Sequence, residues 1–158
     1  APGLNRLDEA DAVLSKVWLR PLPAANQRRL RTSTRRGGPA AALAAALAGV
    51  YDGLTGQGDP ASLRTALASA EQAVALTPAS IAAHFARAYL RVHTGDPARG
   101  LRELRILTMA ESRSSLVQFA LAESLAALGQ DPVAALSKAK SLGGPGLAAR
   151  IRNSSFLR

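Results

Sequence analysis

ALASAEQAVALTPASIAAHFARAYLRVHTGDP, residues Ala66 to Pro97, decides the fold of this chain. Ala66, Leu67, Ala70, Ala73 and Leu76 recur at helical spacing, which predicts one amphipathic helix. Pro78 stops it, because proline has no N–H and clashes with the preceding turn. A second helix is predicted over Ile81 to Thr94, closed by the turn Gly95-Asp96-Pro97. Both flanks repeat this pattern. Gly129, in Leu128-Gly129-Gln130-Asp131-Pro132, follows Gly95 at the interval that separates Phe119 from Phe85 and Ala122 from Ala88. A helix–turn–helix unit recurring at that interval, about 34 residues, is the mark of a helical repeat array.

The same reading extends in both directions. Pro39 at a first helical position opens a helix over Ala40 to Leu54, followed by the turn Gly56-Gln57-Gly58-Asp59-Pro60. That Gly-x-Gly follows no strand, lacks a third Gly and carries no Lys-Ser/Thr, so it reads as a loop and not as a phosphate cradle. Ser62 to Leu76 completes the first pair, Ile81 to Thr94 with Pro97 to Met109 the second, and Leu116 to Leu128 with Pro132 to Leu142 the third. Asp59-Pro60, Asp96-Pro97 and Asp131-Pro132 each set an Asp before a Pro where the second helix of a pair begins. This predicts three N-caps of the same kind. Gly143-Gly144-Pro145-Gly146 ends the array, and Leu147 to Arg158 is expected as one more short helix or a tail.

Upstream, Leu4, Leu7, Ala10, Leu14, Val17 and Trp18 predict an amphipathic helix, with Asp8, Glu9 and Asp11 near its positive end. Pro21 and Pro23 close it. Ala24 to Gly38 is the most charged stretch and is expected as an exposed linker or arm. The predicted organisation is an N-terminal helix over 1–23, a basic linker over 24–38, repeats over 39–78, 79–112 and 113–142, and a C-terminal stop and short helix over 143–158.

Composition agrees with an all-α fold. Apolar residues make up 47% of the chain but aromatic ones only 4%, so the apolar share is Ala and Leu, the strongest helix formers. Mean hydropathy is +0.04, as expected of a soluble globular domain. The longest uncharged apolar run, Pro39 to Tyr51, has 13 residues, against about 20 needed to span a bilayer. Without Cys there is no disulfide and no thiolate metal site, and the redox compartment is not readable. The chain begins Ala-Pro-Gly without Met, as a processed mature form, a trimmed one or a fragment would. A cytoplasmic setting is expected, with a processed exported form as the alternative.

These residues resemble the tetratricopeptide repeat (TPR) family. Its unit is about 34 residues long and pairs two antiparallel helices. A small residue stands in the first helix, Gly at the turn, Ala early in the second helix and Pro at its end. Ala66-Leu67 through Ala73, Leu76 and Thr77-Pro78 follow the second helix of that pattern. Leu121, Ala122, Leu125, Leu128 and Gly129 follow the first, as do Leu47, Ala48, Tyr51 and Leu54, with a turn before Ala66 about six residues longer than the pattern. Arg91 departs from the pattern where a large apolar residue is usual, Gly100 where Ala is usual, and Ser112 where Pro is usual. The resemblance covers Ala40 to Leu142. It implies an α-solenoid of about three units, whose first helices line a concave groove for a peptide or helix of a partner protein.

Placed by Gly95 and Gly129, the groove would present Ala82, Phe85, Tyr89 and Val92, then Leu116, Phe119 and Glu123. The alternative is that Phe85 and Phe119 pack between helices as core. The Lys and Asn with which chaperone-binding members grip a carboxylate are missing from that face. The expected function is therefore a non-enzymatic adaptor or scaffold for an unidentified protein or peptide.

Charge suggests a second reading. The net charge is +9, and 17 of the 20 basic residues are Arg, a preference that also fits a GC-rich, bacterial-like coding bias. Arg28, Arg29, Arg31, Arg35 and Arg36 lie in the linker, and Arg87, Arg91, Arg99, Arg102 and Arg105 form a second cluster. Joined as one field, they would suit nucleic acid or an acidic surface, with binding that weakens as salt rises. No aromatic residues are interleaved in the arm for base stacking. Self-assembly through the Trp18 helix is a third possibility. Catalysis is not expected. His84 and His93 are nine apart, half a turn out of phase on one helix, and cannot share a metal. No Ser/His/acid set or carboxylate pair stands out, so neither a cofactor nor a metal is expected.

Overall fold

Residues 38–143 and 146–157 are described by a computed structural model, with side chains from Ala41 onward. The predicted N-terminal helix, Trp18 and the linker arginines Arg28, Arg29, Arg31, Arg35 and Arg36 lie outside the described residues. Within them the chain is all-α: seven helices and no strand. They are α1 (Gly38–Thr55), α2 (Pro60–Leu76), α3 (Ile81–His93), α4 (Pro97–Ala110), α5 (Ser115–Ala127), α6 (Val133–Leu142) and α7 (Leu147–Asn153). None of them is long and apolar enough to cross a membrane.

The helices pack in sequence order. α1 lies against α2, α3 against α4 and α5 against α6, while α2–α3 and α4–α5 contacts join the pairs. The first helices also touch one another, α1 on α3 and α3 on α5. This arrangement separates an inner layer from an outer one. On α2 only Leu63, Ala66, Ala70, Ala73 and Val74 are buried, a single stripe at helical spacing. On α3 burial runs almost all round, from Ala82 to Val92, and on α5 from Ser115 to Ser124.

Small residues set the crossings inside the pairs. Gly49, two turns before Gly56, lies so close to α2 that a Cβ on it would overlap the Ala66 methyl. Ala88, at the same distance before Gly95, faces Gly100 on α4. A Cβ added to Gly100 would stand 2.8 Å from the Ala88 carbonyl oxygen and 2.6 Å from Val92 Cγ2. The small pair is the same in both hairpins with the glycine on opposite sides. Residue 100 is Gly because α3 and α4 approach too closely there for a methyl.

The turns repeat as well. Gly56, Gly95 and Gly129 all have positive φ, +73°, +92° and +72°, a conformation in which L side chains are strained. Asp96 N donates to Arg91 O, and at the Gly95-to-Gly129 interval Gln130 N donates to Leu125 O. Thr77 N bonds Ala73 O as Glu111 N bonds Leu107 O, offset by the same interval. The α3–α4 turn is thus matched by the α5–α6 turn, and the end of α2 by the end of α4.

Capping differs from the sequence expectation. Asp59 accepts from Ser62 N at 2.9 Å, as predicted. Asp96 makes no cap bond and instead faces Arg99 at 3.4 Å. Asp131 accepts from Val133 N at 3.0 Å, with Pro132 itself in the cap position. The matched caps belong to the first helices. Ser80 Oγ accepts from Ala83 N at 3.1 Å and Ser114 Oγ from Val117 N at 3.2 Å. These two serines stand 34 residues apart and cap α3 and α5.

Candidate functional site

The face of α1, α3 and α5 is not open along its length. Beyond α6 the chain turns back, and α7 packs against α1. Leu147 is buried in the main core, and Ile151, Phe156 and Leu157 pack against it. Ser154 Oγ donates to Glu123 Oε2 on α5 at 2.7 Å, and Phe156 meets His93 on α3 edge-on, ring centroids 5.1 Å apart. The C-terminal segment, residues 147–157, occupies the inner face.

That placement corrects the expected groove. Phe85, Tyr89, Val92, Leu116, Phe119 and Glu123 are interior residues, none more than 3% exposed. Phe85, Leu116 and Phe119 share one apolar core with Ala46, Val50 and Leu104. Val92 turns toward α4 and Gly100. The physical reason is that these positions of α3 and α5 face the outer helices, each other or, on the inner side, the C-terminal segment.

Tyr89, His93 and Glu123 nonetheless remain together, in the wall of a cavity of about 520 Å³. Its other walls come from the α1–α2 turn, including Gly53 and Gly58, from Phe119, and from Arg150 to Phe156. Tyr89 stacks on His93, centroids 4.3 Å apart, and Phe85 lies behind it at 6.1 Å. His93 Nε2 faces Glu123 Oε1 at 3.1 Å, so His93 and Ser154 between them engage both carboxylate oxygens. The Tyr89 hydroxyl is fully buried and has no hydrogen-bond partner among the described residues. It stands above Gly53, where a Cβ would be 2.8 Å from the oxygen. Burial, and then the nearby Glu123 charge, push the Tyr89 hydroxyl well above the usual tyrosine range, with Arg150 acting in the opposite sense. The phenol therefore keeps its proton and is a donor without an acceptor. Burial also lowers the Arg150 guanidinium from its ordinary value.

The second cluster of arginines is not one positive face. Arg87 forms a short ion pair with Glu103 through Nη2, with Nε donating to Oε1 at 3.1 Å. Arg91, nearly buried, stands 3.6 Å from the same carboxylate. His84 faces Glu103 at 3.0 Å with one ring nitrogen and the Pro78 carbonyl at 2.8 Å with the other. Burial pushes the Glu103 carboxyl up, but the bonds from Arg87 and His84 outweigh it and hold the group below its ordinary range. Arg87 is raised by its bond to Glu103, and Arg91 is lowered by burial and by the neighbouring Arg87 and Arg99. Arg91, where an apolar residue was expected, is thus a buried cation facing a carboxylate between α3 and α4. Of the cluster, Arg102 and Arg105 on α4 are the exposed members that pair with no carboxylate among the described residues. His84 and His93 point to different helices, α4 and α5.

Comparison with protein-family models, curated proteins and solved structures finds no match to this chain.

Proposed function

We propose that this protein is a non-enzymatic, TPR-like scaffold that takes a short segment of a partner protein on the face of α1, α3 and α5. The recurrence of turn glycines, serine caps and backbone bonds at one fixed interval supports the TPR-like unit. Gly95 and Gly129 would mark two of them at that interval, and Gly56, 39 residues before Gly95, a third. The observation that carries the function is the seat of residues 147–157. This face already holds a short helix and the Ser154-Ser155-Phe156-Leu157 run that follows it, through a buried hydrogen bond, an aromatic edge contact and apolar anchors. A surface that grips such a segment in cis has the shape and chemistry to grip a similar one in trans.

The test removes residues 144–158 and offers a labelled peptide of residues 146–158. Saturable binding by fluorescence anisotropy is expected, and Phe156→Ala in the peptide should weaken it about tenfold, the worth of a half-buried ring. A truncated protein that keeps its helical circular dichroism and binds no peptide refutes the reading. Should truncation unfold the chain, full-length Phe156→Ala, with its own tail loosened, takes the place of the truncated protein.

A further inference from the structure

The outer layer presents apolar and cationic side chains together on α4 and α6, which both pack on α5. Four of the six exposed large apolar side chains among the described residues lie on these two helices: Ile106 and Met109 on α4, Val133 and Leu142 on α6. Ile106 is 67% exposed and Met109 86%. Arg99, Arg102 and Arg105 are exposed beside them, and at helical spacing all five fall on one face of α4 about 120° wide. The single carboxylate of α4, Glu103, is turned inward to Arg87 and His84. α6 has no acidic residue, and its Lys138 and Lys140 are exposed. On α2, by contrast, exposed Arg64 is balanced by exposed Glu71.

Charge complementarity calls for an anionic occupant. Nucleic acid would leave Ile106 and Met109 unburied, and α4 offers no aromatic ring to a base. A stable protein interface is built around an apolar core and buries about 800 Å² on each partner, whereas here the apolar side chains stand between cations. Arginines interleaved with protruding apolar side chains on a surface helix suit a lipid interface, with apolar tips at the acyl boundary and guanidinium groups at the headgroups. We propose that the α4 face, extended by α6, binds an anionic bilayer surface, with Ile106 and Met109 entering the interface and Arg102 and Arg105 held at the headgroups. Arg99 contributes less, because it faces Asp96. The patch lies on the outer layer, away from the seat of residues 147–157, so it stands independently of peptide binding in trans.

The test sediments the full chain with vesicles of phosphatidylcholine alone and of its equal mixture with phosphatidylglycerol. Binding to the mixed vesicles that falls as salt rises is expected, with none to phosphatidylcholine. Arg102→Gln with Arg105→Gln should weaken it about ten- to thirty-fold. Ile106→Ser with Met109→Ser keeps every charge and should weaken it about tenfold. All four side chains are exposed, so both variants should keep the circular dichroism of wild type. The linker arginines remain in both variants, so binding unchanged by either places the contact outside α4 and overturns the proposal. No binding to the mixed vesicles, or equal binding to phosphatidylcholine, overturns it too. A loss confined to the arginine variant does the same, because nucleic acid or an acidic protein would contact the charges alone.

Discussion

Glu103 receives Arg87 and His84 directly and Arg91 at longer range, so its charge carries more of the α3–α4 contact than any single arginine does. Its carboxyl is held below the ordinary value in the folded state. The stabilisation is therefore complete above the unfolded-state value and is lost as pH falls through the folded one. Glu103→Gln should cost about 2 kcal/mol at neutral pH. The gap between the variant and wild type should shrink in urea melts carried into acid below the usual glutamate range. Gly100 is a second single-residue determinant. Gly100→Ala gains about 1 kcal/mol of helix propensity but drives a methyl into the Ala88 carbonyl and Val92, an overpacking cost of about 1–3 kcal/mol. A net lowering of the melting temperature is expected. In the sequence Gly100 stood out only as a departure from the Ala of the TPR pattern, and its reason comes from the crossing of α3 over α4.

At the scale of helices, the elements were largely legible. α2 through α6 begin and end within two residues of the sequence expectation, because Pro, Gly and the apolar period act locally. The caps were only partly so. Three Asp-Pro steps suggested three equivalent caps, yet Asp96 makes none, while Ser80 and Ser114 do so from buried positions. A signal was present, since the two serines precede α3 and α5 at the spacing of the turn glycines. Ser80→Ala and Ser114→Ala should each cost about 1 kcal/mol. Their effects should add, as the serines cap different helices and share no partner. Asp96→Ala should change the melting temperature far less, losing only an exposed contact to Arg99. Equal losses at Ser80 and Asp96 in thermal melts would contradict the assignment of caps.

For the whole molecule, the decisive feature is the return of residues 147–157 onto the inner face. Phe156 joins that segment to His93, and Ser154 joins it to Glu123. Phe156→Ala should therefore raise hydrogen exchange over residues 147–157 while the amides of α3 and α5 keep their protection, because the hairpins have their own core. Loss of protection throughout would mean that the segment is an integral part of that core.

The amino-acid order by itself determined an all-α chain of successive helices, since helix stops, turn glycines and apolar spacing depend on neighbours a few positions away. Which faces stay open was decided only by tertiary structure. Tyr89, Glu123 and Ser154 meet from three distant parts of the sequence, and Arg87 is neutralised from the next helix. Such contacts arise when helices are placed against one another, and no local period encodes them.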